Sequence, residues 1–258
     1  MTAKTTSSSS NTTSSTTNNE TLVNNNTQQS LSSDQLDNQD IQWQAVNEGR
    51  AAIYRWFADM FARELTPANL EQLNNHYQAM HQAFSGMGLA EQSVRLQQAL
   101  SHLSVIVQSD RALELAADFA QIFLLSGQDS APPYASYYIE ADKMLYGKPA
   151  QQMAQFLKSH QLDLHPDFRE PKDHISVYLQ VMAVWINASM EQPGTVEEQQ
   201  TSIAHRQGEF LDSALLNWLP KFSARCQKIG VKTDVYPALT ELLLAFVDAD
   251  RQALTELL

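Results

Sequence analysis

Residues 43–65 read WQAVNEGRAAIYRWFADMFAREL. Val46, Ile53, Trp56, Phe57, Met60, Phe61 and Leu65 form one broad apolar stripe at helical spacing, with Arg50, Arg55, Asp59 and Arg63 off it. Such a stripe belongs to a helix laid against a core. The same period continues outward. Thr66-Pro67 is a cap and first-turn pair, after which Leu70, Leu73, Tyr77, Met80 and Phe84 mark a second helix that SGMG (85–88) stops. Val94, Leu96, Leu100, Leu103 and Val107 predict a third helix, and a fourth runs from Asp110 to a stop at Gly127. Pro133 can open a short helix carrying Tyr134 and Tyr138 on one face. Further helices are expected at about 149–161, 171–189, 196–219, 222–228 and from Tyr236 to the end. No segment alternates in the manner of a strand. The expected class is all-α, a globular bundle of about nine or ten helices.

Composition sets the other bounds. Of the first 33 residues, 26 are Ser, Thr, Asn or Gln, too polar to offset the entropy of ordering, so residues 1–40 are expected to form a disordered tail. The tail resembles neither a secretory signal nor an Arg-rich transit peptide. Residues 41–258 are expected to form the helical domain, softly divided into halves 41–160 and 171–258 by a linker at 161–170. No apolar run approaches the length of a membrane span, and the single cysteine, Cys226, suits a reducing compartment. These features predict a soluble, cytoplasmic protein that does not engage membranes. A net charge of −12 disfavours nucleic acid and favours a cationic partner.

One stretch carries chemistry: DFREPKDHISVYLQVMAVW, residues 167–185. Its structural reading is a helix start, with Pro171 in the first turn and Asp173 near the free amides of that turn. The helix behind it is apolar around most of its girth, hence central, and places Asp173, Ser176, Gln180 and Asn187 on a polar stripe beside His174, Tyr178, Val181 and Trp185. Metal binding has little support. His160, His165, Glu170, Asp173 and His174 show no HxxxH or HExxH spacing, and Asp173 and His174 point about 100° apart on a helix. The alternative enzyme reading is a helical metal-dependent hydrolase using His165, Asp173 and His174. Ser136 with His174 and Asp173 lacks a nucleophile elbow, and YGKPA (146–150) lacks the glycines of a phosphate loop. A binding cleft remains, with no cofactor and no resident metal required.

Two motifs together resemble a known family. EPKDH (170–174) matches an E-P-x-D-H signature, and PYASYY (133–138) matches a Tyr-x-Ser-x-Tyr/Phe element, of the TorD/DmsD redox-enzyme maturation chaperones, with the TorD branch most similar. The resemblance spans residues 41–258. It implies a non-catalytic cytoplasmic chaperone that binds the twin-arginine signal peptide and the body of an apo-molybdoenzyme, such as trimethylamine N-oxide reductase. The client is held until its molybdenum cofactor is inserted before export. The resemblance also implies client contacts at Tyr134, Ser136, Tyr138, Glu170, Pro171, Asp173 and His174, and allows a monomer or a dimer that swaps helical halves about the linker. Guanine-nucleotide binding, known in some members, finds no support in this sequence. Physically, a receptor for two guanidinium groups joined to an apolar segment needs carboxylates beside an apolar groove. Glu170 and Asp173 are the candidate charges, and Tyr134, Tyr138, Tyr178 and Trp185 the candidate walls.

Overall fold

Residues 33–125, 129–191 and 196–258 are described by a computed structural model, and they form ten α-helices with no β-strand among them. In chain order these are α1 (Ser33–Ala62), α2 (Pro67–Gly86), α3 (Ala90–His102), α4 (Arg111–Phe119), α5 (Ala135–Ile139), α6 (Lys148–Ser159), α7 (Ile175–Met190), α8 (Val196–Phe210), α9 (Leu219–Cys226) and α10 (Val235–Glu256). Single π-helical stretches, Ala120–Leu124 and Leu211–Leu216, continue α4 and α8. The all-α class is as expected. The stop assigned to Gly127 lies outside the described residues.

Local signals set several ends. Thr66 caps α2 in a full capping box with Asn69, and Pro67 occupies its first turn. Helix α1 reaches back to Ser33, into the stretch assigned to the tail. Once a helix is nucleated, each further residue adds a hydrogen bond at little cost, so a polar stretch can continue it.

The core face of α1 keeps Phe57, Met60 and Phe61 of the apolar stripe seen in the sequence, with Ile53 and Trp56 at its edge, and extends beyond it. Asn47, Arg50, Ala51, Tyr54, Phe57, Ala58 and Phe61 are buried, while Val46 is 58% exposed. Arg50 tolerates this because Asp250 of α10 meets it with a two-pronged ion pair, Nε to Oδ1 at 2.6 Å and a second N–H to Oδ2 at 2.9 Å. Tyr54 donates to the same carboxylate at 2.8 Å, and Asn47 and Gln207 each accept a further guanidinium N–H. Burial works against the Arg50 charge, but Asp250 outweighs it and raises the guanidinium pKa. One buried polar knot therefore ties α1, α8 and α10. Val94 and Val107, expected on the core face of α3, are exposed; Val107 lies past the end of α3 at His102, after the chain has turned through a short 3₁₀ segment.

Helix α7 is central, as its apolar girth predicts. Ile175, Val177, Tyr178, Leu179, Val181, Met182, Ala183 and Ile186 are all buried, and α1 packs along it. The linker at 161–170 lies against the core through Leu162, Leu164 and Phe168.

Candidate functional site

The two sequence motifs meet. Pro133–Ala135 and Asp173–Ile175 run antiparallel for one bridge, with Ala135 N–H donating to the Asp173 carbonyl at 3.0 Å and Ile175 N–H to the Pro133 carbonyl at 2.8 Å. Tyr134 and His174, the two bridged residues, are extended because each is the N-cap of the helix that follows, α5 and α7. On the other side Pro171–His174 makes a turn closed by a 3.0 Å bond from His174 N–H to the Pro171 carbonyl.

This geometry corrects the expected start of the central helix. Pro171 lies ahead of α7, not in its first turn, and Pro133 lies ahead of α5. The N-cap of α7 is His174, whose Nδ1 accepts from Ser176 N–H at 3.2 Å and faces Ser176 Oγ at 2.6 Å. An imidazole that caps through Nδ1 must carry its proton on Nε2 and stay neutral. Asp173 reaches away from α7. Its Oδ2 accepts from Ser136 N–H at 2.8 Å and from Ser136 Oγ at 2.5 Å, so it caps α5 from 37 residues away. Its Oδ1 has no donor among the described residues. Ser136 Oγ in turn accepts from Gly147 N–H at 3.2 Å, extending the chain of bonds to the start of α6.

Glu170 is exposed and accepts from Tyr134 Oη at 2.6 Å. Tyr134 is held well above its ordinary pKa by burial, then by the bond and charge of Glu170, with smaller pushes from Tyr146 and Asp173. It therefore stays a donor. The rings of Tyr134 and Phe168 close edge-on around His174 at 5.2 and 5.7 Å. Of the seven residues named from the motifs, Glu170 is exposed and Tyr138 half-buried. Tyr134, Ser136, Pro171, Asp173 and His174 are enclosed. Asp173 is thus not placed to meet a ligand's cation, and of the two candidate carboxylates only Glu170 is.

Burial pushes the His174 imidazole down to about 3 from an ordinary 6.5. Below pH 6.5 the unfolded chain takes up a proton that the folded chain refuses, so this residue's contribution to stability is complete above pH 6.5 and lost as the pH falls toward 3. The expected loss is about 1.4 kcal/mol per unit, or roughly 2 kcal/mol between pH 7 and pH 5. Urea titrations at both pH values should show this extra slope in the natural chain and its absence in His174→Asn. Equal slopes would mean that His174 is not held neutral by the fold.

The hydrolase alternative is not supported by the geometry. His165 is at the surface with its Nδ1 3.6 Å from Asp167, while Asp173 and His174 are committed to Ser136 and Ser176. No group of three or more His, Cys, Asp or Glu among the described residues could hold a metal. Ser136 bonds to Asp173 rather than to His174, so a Ser-His relay is not formed either.

Beside the motifs lies an apolar groove of about 760 Å³ between α6, α7 and α8, walled by Met153, Phe156, Tyr178, Trp185, Ile203 and Phe210. Phe156, Trp185 and Phe210 pack on one another with centroids 5.0–5.5 Å apart, giving the floor a rigid aromatic surface. Tyr178 and Trp185 were named from the helical wheel. Phe156 and Phe210 were not, since they come from helices whose positions relative to α7 the sequence does not give.

A family model described as the nitrate reductase delta subunit matches residues 86–224, a span that contains both motifs. The chaperone protein TorD of Psychrobacter sp. (strain PRwf-1) is 62% identical over 220 residues, covering 85% of this chain and 98% of that protein. The chain belongs to the TorD family. Other relatives bearing the same name are a protein of Vibrio cholerae serotype O1 (strain ATCC 39541), 36% identical over 219 residues, and one of Vibrio atlanticus, 37% identical over 216. They cover 83% and 81% of this chain, and 95% and 96% of their own lengths. For this TorD-family chain the two motifs form a conjunction of α5, α6 and α7, and the groove opens next to it. No helix among the described residues is long and apolar enough to cross a membrane.

Proposed function

We propose that this chain is a cytoplasmic chaperone that binds the twin-arginine signal peptide and the body of an apo-molybdoenzyme. A trimethylamine N-oxide reductase is the favoured client, held until its molybdenum cofactor is inserted and before it is exported. The observation that carries this reading is the aromatic-floored groove of α6, α7 and α8, the kind of surface that takes an apolar peptide segment. The exposed carboxylate of Glu170 supports it by offering a bidentate partner to a guanidinium group. The TorD-family relationship and the net charge of −12 point the same way.

The test is calorimetry of the full chain with a synthetic twin-arginine signal peptide. Saturable binding is expected, weakened about ten-fold when both arginines become lysine, because lysine cannot make the two-pronged contact. Ala188→Trp, at an exposed position on the groove wall, should also weaken binding without changing the thermal midpoint. A peptide that binds no better than its scrambled sequence would remove the proposal. Capture of the cofactor-free reductase in preference to the loaded enzyme is the corresponding result for the client body.

A further inference from the structure

The connection between α5 and α6, Glu140–Gly147, is short, exposed and held at both ends. Glu140 Oε1 accepts from Lys148 N–H at 2.7 Å, and Gly147 N–H donates to Ser136 Oγ. The Glu140 carboxylate lies directly over Gly147, where a Cβ would push it aside and disturb its bond to Lys148 N–H. Between these anchors the backbone passes twice through the left-handed region, at Lys143 (φ 53°) and Tyr146 (φ 63°), where side chains other than glycine are strained.

What the loop does with this strained geometry is hold apolar side chains in water. Met144 is 62% exposed, Leu145 41% and Tyr146 66%, on consecutive residues. Exposed apolar side chains occur elsewhere in the chain too, at Val105 and Leu113 among others, so exposure alone gives the loop no role. Its position supplies one. Ile139, just before the loop, and Pro149, just after it, both line the groove. At its far end Tyr146 directly precedes Gly147, whose N–H is bound to Ser136 Oγ two residues along from Tyr134, the residue that donates to Glu170. The loop therefore spans from the apolar groove to the one exposed carboxylate of the motif.

We infer that Met144, Leu145 and Tyr146 form a client-contacting arm of the binding site. On this assignment Met144 and Leu145 cover the apolar segment of a signal peptide seated in the groove, and Tyr146 offers its ring face to a guanidinium paired with Glu170. The chain Asp173–Ser136–Gly147 positions this arm, which gives the buried half of the motif an indirect part in binding. The inference rests on the peptide-binding reading above and adds to it a surface that neither motif names.

The experiment is calorimetry of the full chain and of the triple variant Met144→Ser, Leu145→Ser, Tyr146→Ser with the twin-arginine peptide, alongside Ala188→Trp. The triple variant should bind at least about ten-fold more weakly with an unchanged thermal midpoint, since all three side chains are exposed. Tyr146→Phe should retain most of the affinity, because the ring face is kept. A triple variant within about two-fold of the natural chain, while Ala188→Trp is impaired, would overturn the arm and leave the groove standing. If the natural chain binds no peptide, the arm and the peptide-binding reading fall together.

Discussion

Asp173→Ala is expected to lower stability by about 3 kcal/mol in a urea titration, while Glu170→Ala, three residues away, costs about 1 kcal/mol or less. Asp173 and Ser136 are both fully buried, and the variant leaves Ser136 N–H and Oγ–H without an acceptor where water does not reach. Each orphaned donor costs about 1–3 kcal/mol. Part of that is returned, because the lost carboxylate has no cation partner and its Oδ1 already lacks a donor. Asp173→Asn keeps one acceptor and should fall between the variant and the natural chain. Glu170 differs because it is exposed, and the Tyr134 hydroxyl it leaves can turn toward water. The second readout reverses the order of cause. Glu170→Ala should weaken signal-peptide binding directly in a folded protein, and Asp173→Ala should do so only through the loosened loop, with faster amide exchange at Gly147 and Lys148. An Asp173→Ala protein as stable as the natural chain would show that the carboxylate is kept for the client and not for the fold.

The largest loss of stability is expected from Asp250→Ala, about 3–5 kcal/mol. The substitution strands the Arg50 guanidinium, 8% exposed, among α1, α8 and α10, and removes the acceptor of Tyr54. Removing both charges is a different matter. Arg50→Met with Asp250→Leu replaces the pair by apolar volume and should regain most of the loss, because the desolvation of two ions disappears with them. Chemical denaturation of the two single variants and the double variant gives the coupling. Additive losses would show that the two residues stabilise the fold independently, against the paired geometry.

Much of the fold is legible in local spacing. The Thr66-Pro67 cap, the helical period of residues 43–65 and the apolar girth of 175–186 each report a backbone preference or a face, and both are properties of neighbouring residues. The meeting of PYASYY and EPKDH was legible only as a resemblance. Once folded, its physical content differs from the helix-start reading, because an aspartate that looks like the cap of its own helix caps another. His174 took that place, extended where the single antiparallel bridge to Tyr134 holds it, with the helix beginning at Ile175.

The sequence by itself determined the all-α class, the central place of the helix after the E-P-x-D-H motif and the acidic balance, since period, girth and charge are read one residue at a time. Tertiary structure alone decided which carboxylate is buried and which is exposed, that Arg50 is a core residue, and that α6 and α8 complete a groove with Trp185. Those outcomes depend on pairs such as Ser136 with Asp173 and Arg50 with Asp250, 37 and 200 residues apart, and no local period encodes which distant side chain will arrive.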